Sequence, residues 1–149
     1  MVGGDAPVLD KCRPILEPPA SSVTHVGKLG MGQVANLVNN AIAGSMFQAA
    51  SEGMQLDSLC GIEEDKIFAA MHGGTTGSWV LDHWSDVRRL AQTFRTGLDG
   101  LAEVVRKDLN HAIEVAHDVG LELPMAAAAK AAAAGNNYWA RRFCAEASV

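Results

Sequence analysis

Cysteine is scarce and badly spaced for chemistry. Cys12, Cys60 and Cys144 are the only three, far apart and odd in number. No CxxC pair exists, so neither a thiolate zinc site nor a disulfide framework is indicated. A reducing, cytoplasmic setting is the expectation. Aromatics make up 5% of the chain, too few for stacking platforms that hold bases or sugars. Basic residues form no block. Arg88-Arg89 and Arg141-Arg142 are isolated pairs read as plain surface, and the net charge is −5, so no nucleic-acid partner is expected. No apolar run reaches the length of a membrane span, and the N-terminus lacks a charged-then-apolar leader, so no membrane partner is expected either. The G-x-G-x-x-G dinucleotide fingerprint is missing too. Gly30-Met31-Gly32-Gln33 carries only two of its glycines.

What is present is enough for one compact domain. At 149 residues and 48% hydrophobic content, roughly two thirds of the unfolded chain's surface can be buried. The dominant feature is a helical pattern from Gly30 to about Leu59. Val34, Leu37, Val38, Ala41, Ile42, Ser45, Met46, Ala49, Ala50 and Gly53 make an i, i+3, i+4, i+7 stripe over five turns. Off that stripe lies a row of amides, Gln33, Asn36 and Asn40, which reads either as a solvated face or as a ligand-facing one. Ahead of this helix, Met1–Gly4 and Val23–Val26 read as short strands. Between them Asp5-Ala6-Pro7 caps a helix that ends at Glu17-Pro18-Pro19. Strand, helix, strand makes one crossover of a parallel sheet, too little to stand alone.

Downstream every expected element is a helix, and Thr93 to Asp99 reads as irregular. Helices are expected from Glu63 to Met71, from Trp79 to about Ala91 behind a Ser78 cap, and from about Leu101 to Val119 with Gly120 at the C′ position. Another runs from Pro124 to Ala134, and a short tail helix carries Tyr138 and Trp139. The fold class is therefore all-α with one long central helix, preceded by a short β-α-β remnant. His25, His72, His83, His111 and His117 have no metal-ligand spacing, and no metal is expected. Ser58 and Cys60 lack a neighbouring base, and Asp82 and Asp86 beside His83 read as a solvated face.

Gly30-Met31-Gly32-Gln33-Val34-Ala35-Asn36-Leu37-Val38-Asn39-Asn40 resembles the start of the catalytic helix in the β-hydroxyacid dehydrogenases. That family includes 3-hydroxyisobutyrate dehydrogenase and 6-phosphogluconate dehydrogenase. The usual pattern there is G-x-G-x-x-x-K-x-x-N-N. Arg106-Lys107-Asp108-Leu109, with Gly120 and Pro124 downstream, resembles the second signature, K-D-L followed by G-x-x-x-P. The resemblance covers nearly the whole chain in order and spacing. It implies that residues 1–28 are the end of a Rossmann nucleotide-binding domain. Residues 29–149 would be the 6-phosphogluconate dehydrogenase C-terminal-like helical domain for substrate binding and dimerisation. The implied function is the C-terminal part of an NAD(P)-dependent oxidoreductase acting on a small 3-hydroxy acid or a related carbonyl or imine. The cofactor, NAD or NADP, would need a complete Rossmann domain. The implied partners are a small-molecule substrate and a second copy of the chain, docked through the long helix and the C-terminal helices.

Residue by residue, the resemblance implies substrate contacts at Gly32, Gln33 and Asn40, catalytic positions at Asn36 and Asn40, and cofactor contacts at Lys107 and Asp108. Asn36 departs from the pattern, because the family has its catalytic lysine there. An amide can orient an oxygen but cannot exchange a proton with it. Three explanations stay open. The substrate is an imine, as for relatives that lack this lysine. Or the chain is a redox-inactive paralogue acting as a helical dimerisation or interaction module. Or the chain is a changed or partial form of a working enzyme. A second departure is Gly100, eight residues before Asp108, where the family often has an aromatic.

Overall fold

The computed structural model of the chain describes residues 1–72 and 74–135. The first unit is the expected crossover. Asp5 caps α1 (Ala6–Leu16) by accepting a hydrogen bond from the Val8 amide at 3.4 Å. Strands β1 (Val2–Gly3) and β2 (His25–Gly27) pair in parallel on either side of it, with Val2 opposite His25 and Gly3 opposite Gly27. Gly30 then turns the chain with φ 92°, a conformation that costs a glycine little and other residues much, and α2 (Met31–Leu59) begins. The first turn of α2 lies hard against β1. A Cβ on Gly32 would stand 2.9 Å from the Gly3 amide nitrogen, so the two glycines allow the helix to seat on the strand.

The remaining elements among the described residues are helices: α3 (Glu64–His72), α4 (Trp79–Asp82), α5 (Trp84–Thr93), α6 (Leu98–Asp118) and α7 (Pro124–Gly135). Helices α6 and α7 pack on each other and on α2. The end of α6 is a Schellman motif. Gly120 sits at φ 75°, its N–H donates to the His117 carbonyl, and the Leu121 N–H donates to Ala116. The expected single helix from Trp79 to Ala91 is instead two. It breaks at His83, whose amide and ring nitrogen Nδ1 both meet the Trp79 carbonyl, at 3.0 and 2.9 Å. The stretch from Thr93 to Asp99 is less irregular than expected, because α5 reaches Thr93 and α6 starts at Leu98. The tail helix expected around Tyr138 and Trp139 lies outside the described residues. Among the described residues, no helix is long and apolar enough to cross a membrane.

Among the described residues, two clusters make the core. One joins Ala41 of α2, Leu109 and Ala112 of α6, and Ala126 and Ala129 of α7. Small residues at these crossings let the helix axes approach. Gly44 completes the fit, since a Cβ there would come 3.1 Å from Val105 Cγ1 and 3.4 Å from Leu109 Cδ2. The other cluster is built on Trp84, with Phe47 stacked at 5.6 Å between ring centroids and Phe68 tilted at 6.2 Å.

The buried line of α2 differs from the apolar stripe read in its sequence. Ala41, Gly44, Gln48, Ser51 and Met54 face inward, whereas Val38 and Ile42 stay 54% and 56% exposed. The close approach of α6 selects the small-residue flank of the helix. The bulkier flank, Val38, Ile42 and Met46, is left outside.

Candidate functional site

The turn at Gly30 brings the first residues of α2 against the carboxyl end of β1. A hollow of about 420 Å³ opens there, bounded by Val2, Gly3, Gly30, Gly32, Gln33 and Asn36 among others. Gln33 and Asn36, three residues apart, share one face of the helix and both reach this hollow. Their amides offer donors and acceptors but no titratable proton.

One turn on, Asn40 points elsewhere. Its Nδ2 donates to Asp108 Oδ2 of α6 at 3.1 Å, and its Oδ1 accepts from Asn39 at 3.2 Å. Asp108 is only 20% exposed, and its other oxygen lies 3.3 Å from the Lys107 ammonium. A linked row results, amide to carboxylate to amine. A carboxylate in this position orients both partners: it fixes the Asn40 amide group and holds a mostly exposed amine at the rim. Sixty-eight positions separate Asn40 from Asp108, and the packing of α6 on α2 joins them.

The six residues expected at the site thus fall into two adjoining groups. Gly32, Gln33 and Asn36 border the hollow at β1. Asn40, Asp108 and Lys107 form the row beyond it. Lys107 does not border that hollow. It lines a second, larger one of about 780 Å³, formed by the turn between α5 and α6, one face of α6, and Lys130 of α7.

That second hollow holds residues that sequence reading missed. Arg95, Arg106 and Lys130 converge on it with Lys107. They come from three separate elements, so no run of basic residues announces them. The aromatic missing at Gly100 is also accounted for there. A Cβ on Gly100 would stand 2.9 Å from Phe94 Cβ and 3.1 Å from Phe94 Cδ1. Phe94 therefore lays its ring over the bare glycine, and an aromatic enters the hollow from the preceding turn instead of from α6.

Other sequence candidates separate from this region. Asp82 pairs with His72 at 3.0 Å and not with His83, which stacks on Trp79 at 4.3 Å between centroids. Among the described residues, no group of three or more His, Cys, Asp or Glu side chains is arranged to hold a metal.

Comparison with known proteins gives a consistent family. Residues 30–138 match the family model described as NAD-binding of NADP-dependent 3-hydroxyisobutyrate dehydrogenase. An NAD-dependent L-serine dehydrogenase of Pseudomonas aeruginosa is 33% identical over 129 residues, covering 84% of this chain and 43% of that protein. A 2-hydroxy-3-oxopropionate reductase of Escherichia coli is 32% identical over 124 residues, covering 83% of this chain and 41% of that protein. Among solved structures, 3-hydroxyisobutyrate dehydrogenase of Mycobacterium tuberculosis, determined with L-serine, superposes with a TM-score of 0.72 at 26% identity. That superposition covers 94% of this chain and 49% of the other. The chain therefore spans a little under half the length of the relatives it matches.

Proposed function

The chain belongs to the 3-hydroxyisobutyrate dehydrogenase family, and from that premise we propose that it is the helical part of an NAD(P)-dependent oxidoreductase. Its substrate is a small 3-hydroxy acid or a related carbonyl or imine. Residues 1–28 close a nucleotide-binding domain, and residues 29–149 supply the substrate face and the dimer surface. The observation that carries this reading is the Asn40–Asp108 hydrogen bond, which ties the amide face of α2 to the Lys107-Asp108 pair of α6.

The chemistry of these groups fits one end of a dinucleotide. The exposed Lys107 amine donates hydrogen bonds and the Asp108 carboxylate accepts them, a set suited to the carboxamide of nicotinamide. When bound, the nicotinamide ring supplies or takes the hydride. Gln33 and Asn36 would hold the reacting oxygen or nitrogen, and Asn40 keeps that face in register with α6.

In a chain carrying a dinucleotide-binding domain ahead of Gly30, Asn40→Ala is expected to lower kcat/KM by about 100-fold, since a misplacement of about 1 Å has that effect. The assay is NAD(P)-coupled turnover of L-serine, 3-hydroxyisobutyrate and 2-hydroxy-3-oxopropionate. Undiminished turnover by the variant sinks the placement of substrate on this face. A second reading is favoured by Asn36: a redox-inactive paralogue or fragment that keeps the fold as a dimerisation module. No turnover of any of these substrates, with or without lysine at position 36, selects it.

The partner in either reading is a second copy of the chain. The outward flank of α2 supports this, with Val38, Ile42 and Met46 exposed along one face and Leu56 and Leu59 exposed near its end. Ala41 and Gly44 are occupied by α6, so close approach of a partner helix falls to the exposed Ala49 and Gly53. Light scattering is expected to give twice the monomer mass at micromolar concentration, and Ile42→Asp is expected to halve it. A wild-type chain that stays monomeric refutes the interface. The setting proposed for such an enzyme is the cytoplasm.

A further inference from the structure

We propose that Gly3 is a positioning residue for the reaction at the amide face of α2: having no side chain, it sets how deep the helix start sits against β1. This role rests on the proposed function, in which Gln33 and Asn36 hold the reacting group and β1 belongs to the nucleotide-binding domain. Gly3 lies at the carboxyl end of β1 and borders the hollow with Gly32, Gln33 and Asn36. A Cβ there would stand 2.6 Å from the Gly32 amide nitrogen, 2.6 Å from the Lys28 carbonyl oxygen and 3.0 Å from the Met31 amide nitrogen. All three are backbone atoms at the start of α2, so no neighbouring side chain can swing aside. The approach is reciprocal, since a Cβ on Gly32 would stand 2.9 Å from the Gly3 amide nitrogen and 3.3 Å from the Met1 carbonyl oxygen. Gly3 is not among the glycines at positive φ, so space and not backbone conformation demands a glycine there.

The contact joins two bodies. Helix α2 is held from behind by α6 and α7, through Leu37, Ala41 and Leu109, and Asn40 is bonded to Asp108. The amide face therefore moves with the helical body, and Gly3 moves with the strand. Their separation is set where Gly3 meets Gly32. Ordinary contact for a Cβ starts at 3.4 Å, so alanine at position 3 must part strand and helix by about 0.8 Å, and alanine at position 32 by about 0.5 Å. A misplacement of about 1 Å between reacting groups costs about 100-fold in rate.

The test uses a chain carrying the rest of a nucleotide-binding domain ahead of Met1. Gly3→Ala should lower kcat about 100-fold and Gly32→Ala about tenfold, in the order of the two displacements. Gly32→Ala also favours the helix, so its loss cannot come from unfolding. Asn36→Gln extends the amide by one carbon–carbon bond, about 1.5 Å. Added to Gly3→Ala it should restore about tenfold, whereas alone it should not raise the native rate. Met54→Ala, in the Trp84 cluster about 30 Å further along α2, should lower Tm and leave kcat unchanged. In the isotope-labelled 149-residue chain, Gly3→Ala should shift the side-chain amide resonances of Gln33 and Asn36 and leave that of Asn40 in place. Native turnover that neither alanine lowers, or a loss that Asn36→Gln does not recover, overturns the role of Gly3 and leaves the proposed function standing. Unmoved Gln33 and Asn36 resonances overturn it whatever the turnover. A native chain with no turnover overturns the proposed function itself.

Discussion

Asn36→Lys, in a chain carrying a dinucleotide-binding domain, is expected to raise oxidation of a 3-hydroxy acid by about 10²–10⁴-fold, the usual worth of a positioned general acid–base. The physical case rests on position. Asn36 is exposed on the same face as Gln33 and borders the hollow where α2 meets β1, so a longer side chain meets open space there. Oxidation of an alcohol needs a group that takes the hydroxyl proton as hydride leaves. Asparagine offers hydrogen bonds and nothing that titrates. Lysine supplies an amine that exchanges protons, and a new limb should appear in the pH profile of kcat. Reduction of an iminium substrate requires no proton at oxygen, so the same substitution should leave that rate unchanged or lower it. The paired assay therefore separates the imine explanation of Asn36 from loss of redox function. A native chain that already oxidises hydroxy acids as fast as the lysine variant would show that position 36 is not the proton-transfer site.

How much of this was readable in the sequence depends on the range of the interaction. The caps at Asp5 and Ser78 and the αL glycines at Gly30 and Gly120 are local, and each lies where the sequence pattern puts it. Helix α2 was legible in extent, because a long apolar period has one explanation. Its inward face was not. Periodicity counts apolar residues and is blind to the neighbour, and the neighbour α6 fits against Gly44 and Ala41. Gln48 and Ser51 lie on the same inward line and are buried, while Ile42 is not. The break at His83 was also hidden, since Val80 and Trp84, both buried, keep helical spacing across it.

The site divides in the same way. Gln33 and Asn36 follow from one helix face and need no tertiary knowledge. The Asn40–Asp108 bond spans two helices, and only the resemblance to a known family set those residues side by side beforehand. Gly100 was read as a missing aromatic. The packing instead gives the space over that glycine to the Phe94 ring. Arg95 and Lys130 had no sequence signal, and Arg106 entered only as a neighbour of the Lys107-Asp108 pair, because a cluster assembled from a turn and two helices leaves no run of charge.

Leu109→Ala is expected to cost about 4 kcal/mol, toward the upper end of the usual range for such truncations. Leu109 is fully buried, with 0% exposure, where α2, α6 and α7 meet. The cost of a core truncation depends on how well the surroundings collapse into the void. Here the buried neighbours are Ala41, Ala112, Ala126 and Ala129, with Gly44 against the Leu109 methyls. None of these has a flexible side chain to swing into the gap, and only the partly buried Leu37, Val105, Ile113 and Leu123 around the cluster can fill part of it. For a domain of this size the loss corresponds to a fall in Tm of about 10–15 °C. Gly44 supplies an internal check. In the native chain Gly44→Ala should destabilise, because the new Cβ would sit 3.1 Å from Val105 Cγ1 and 3.4 Å from Leu109 Cδ2. Once Leu109 is shortened, that methyl points into the vacated space. The double variant should then be more stable than the sum of the single effects by about 1 kcal/mol, a coupling typical of residues in contact. Urea melts of the four proteins in the cycle measure it. Strict additivity, or a loss below about 2 kcal/mol for Leu109→Ala alone, would mean that this junction is not packed as tightly as its small residues require.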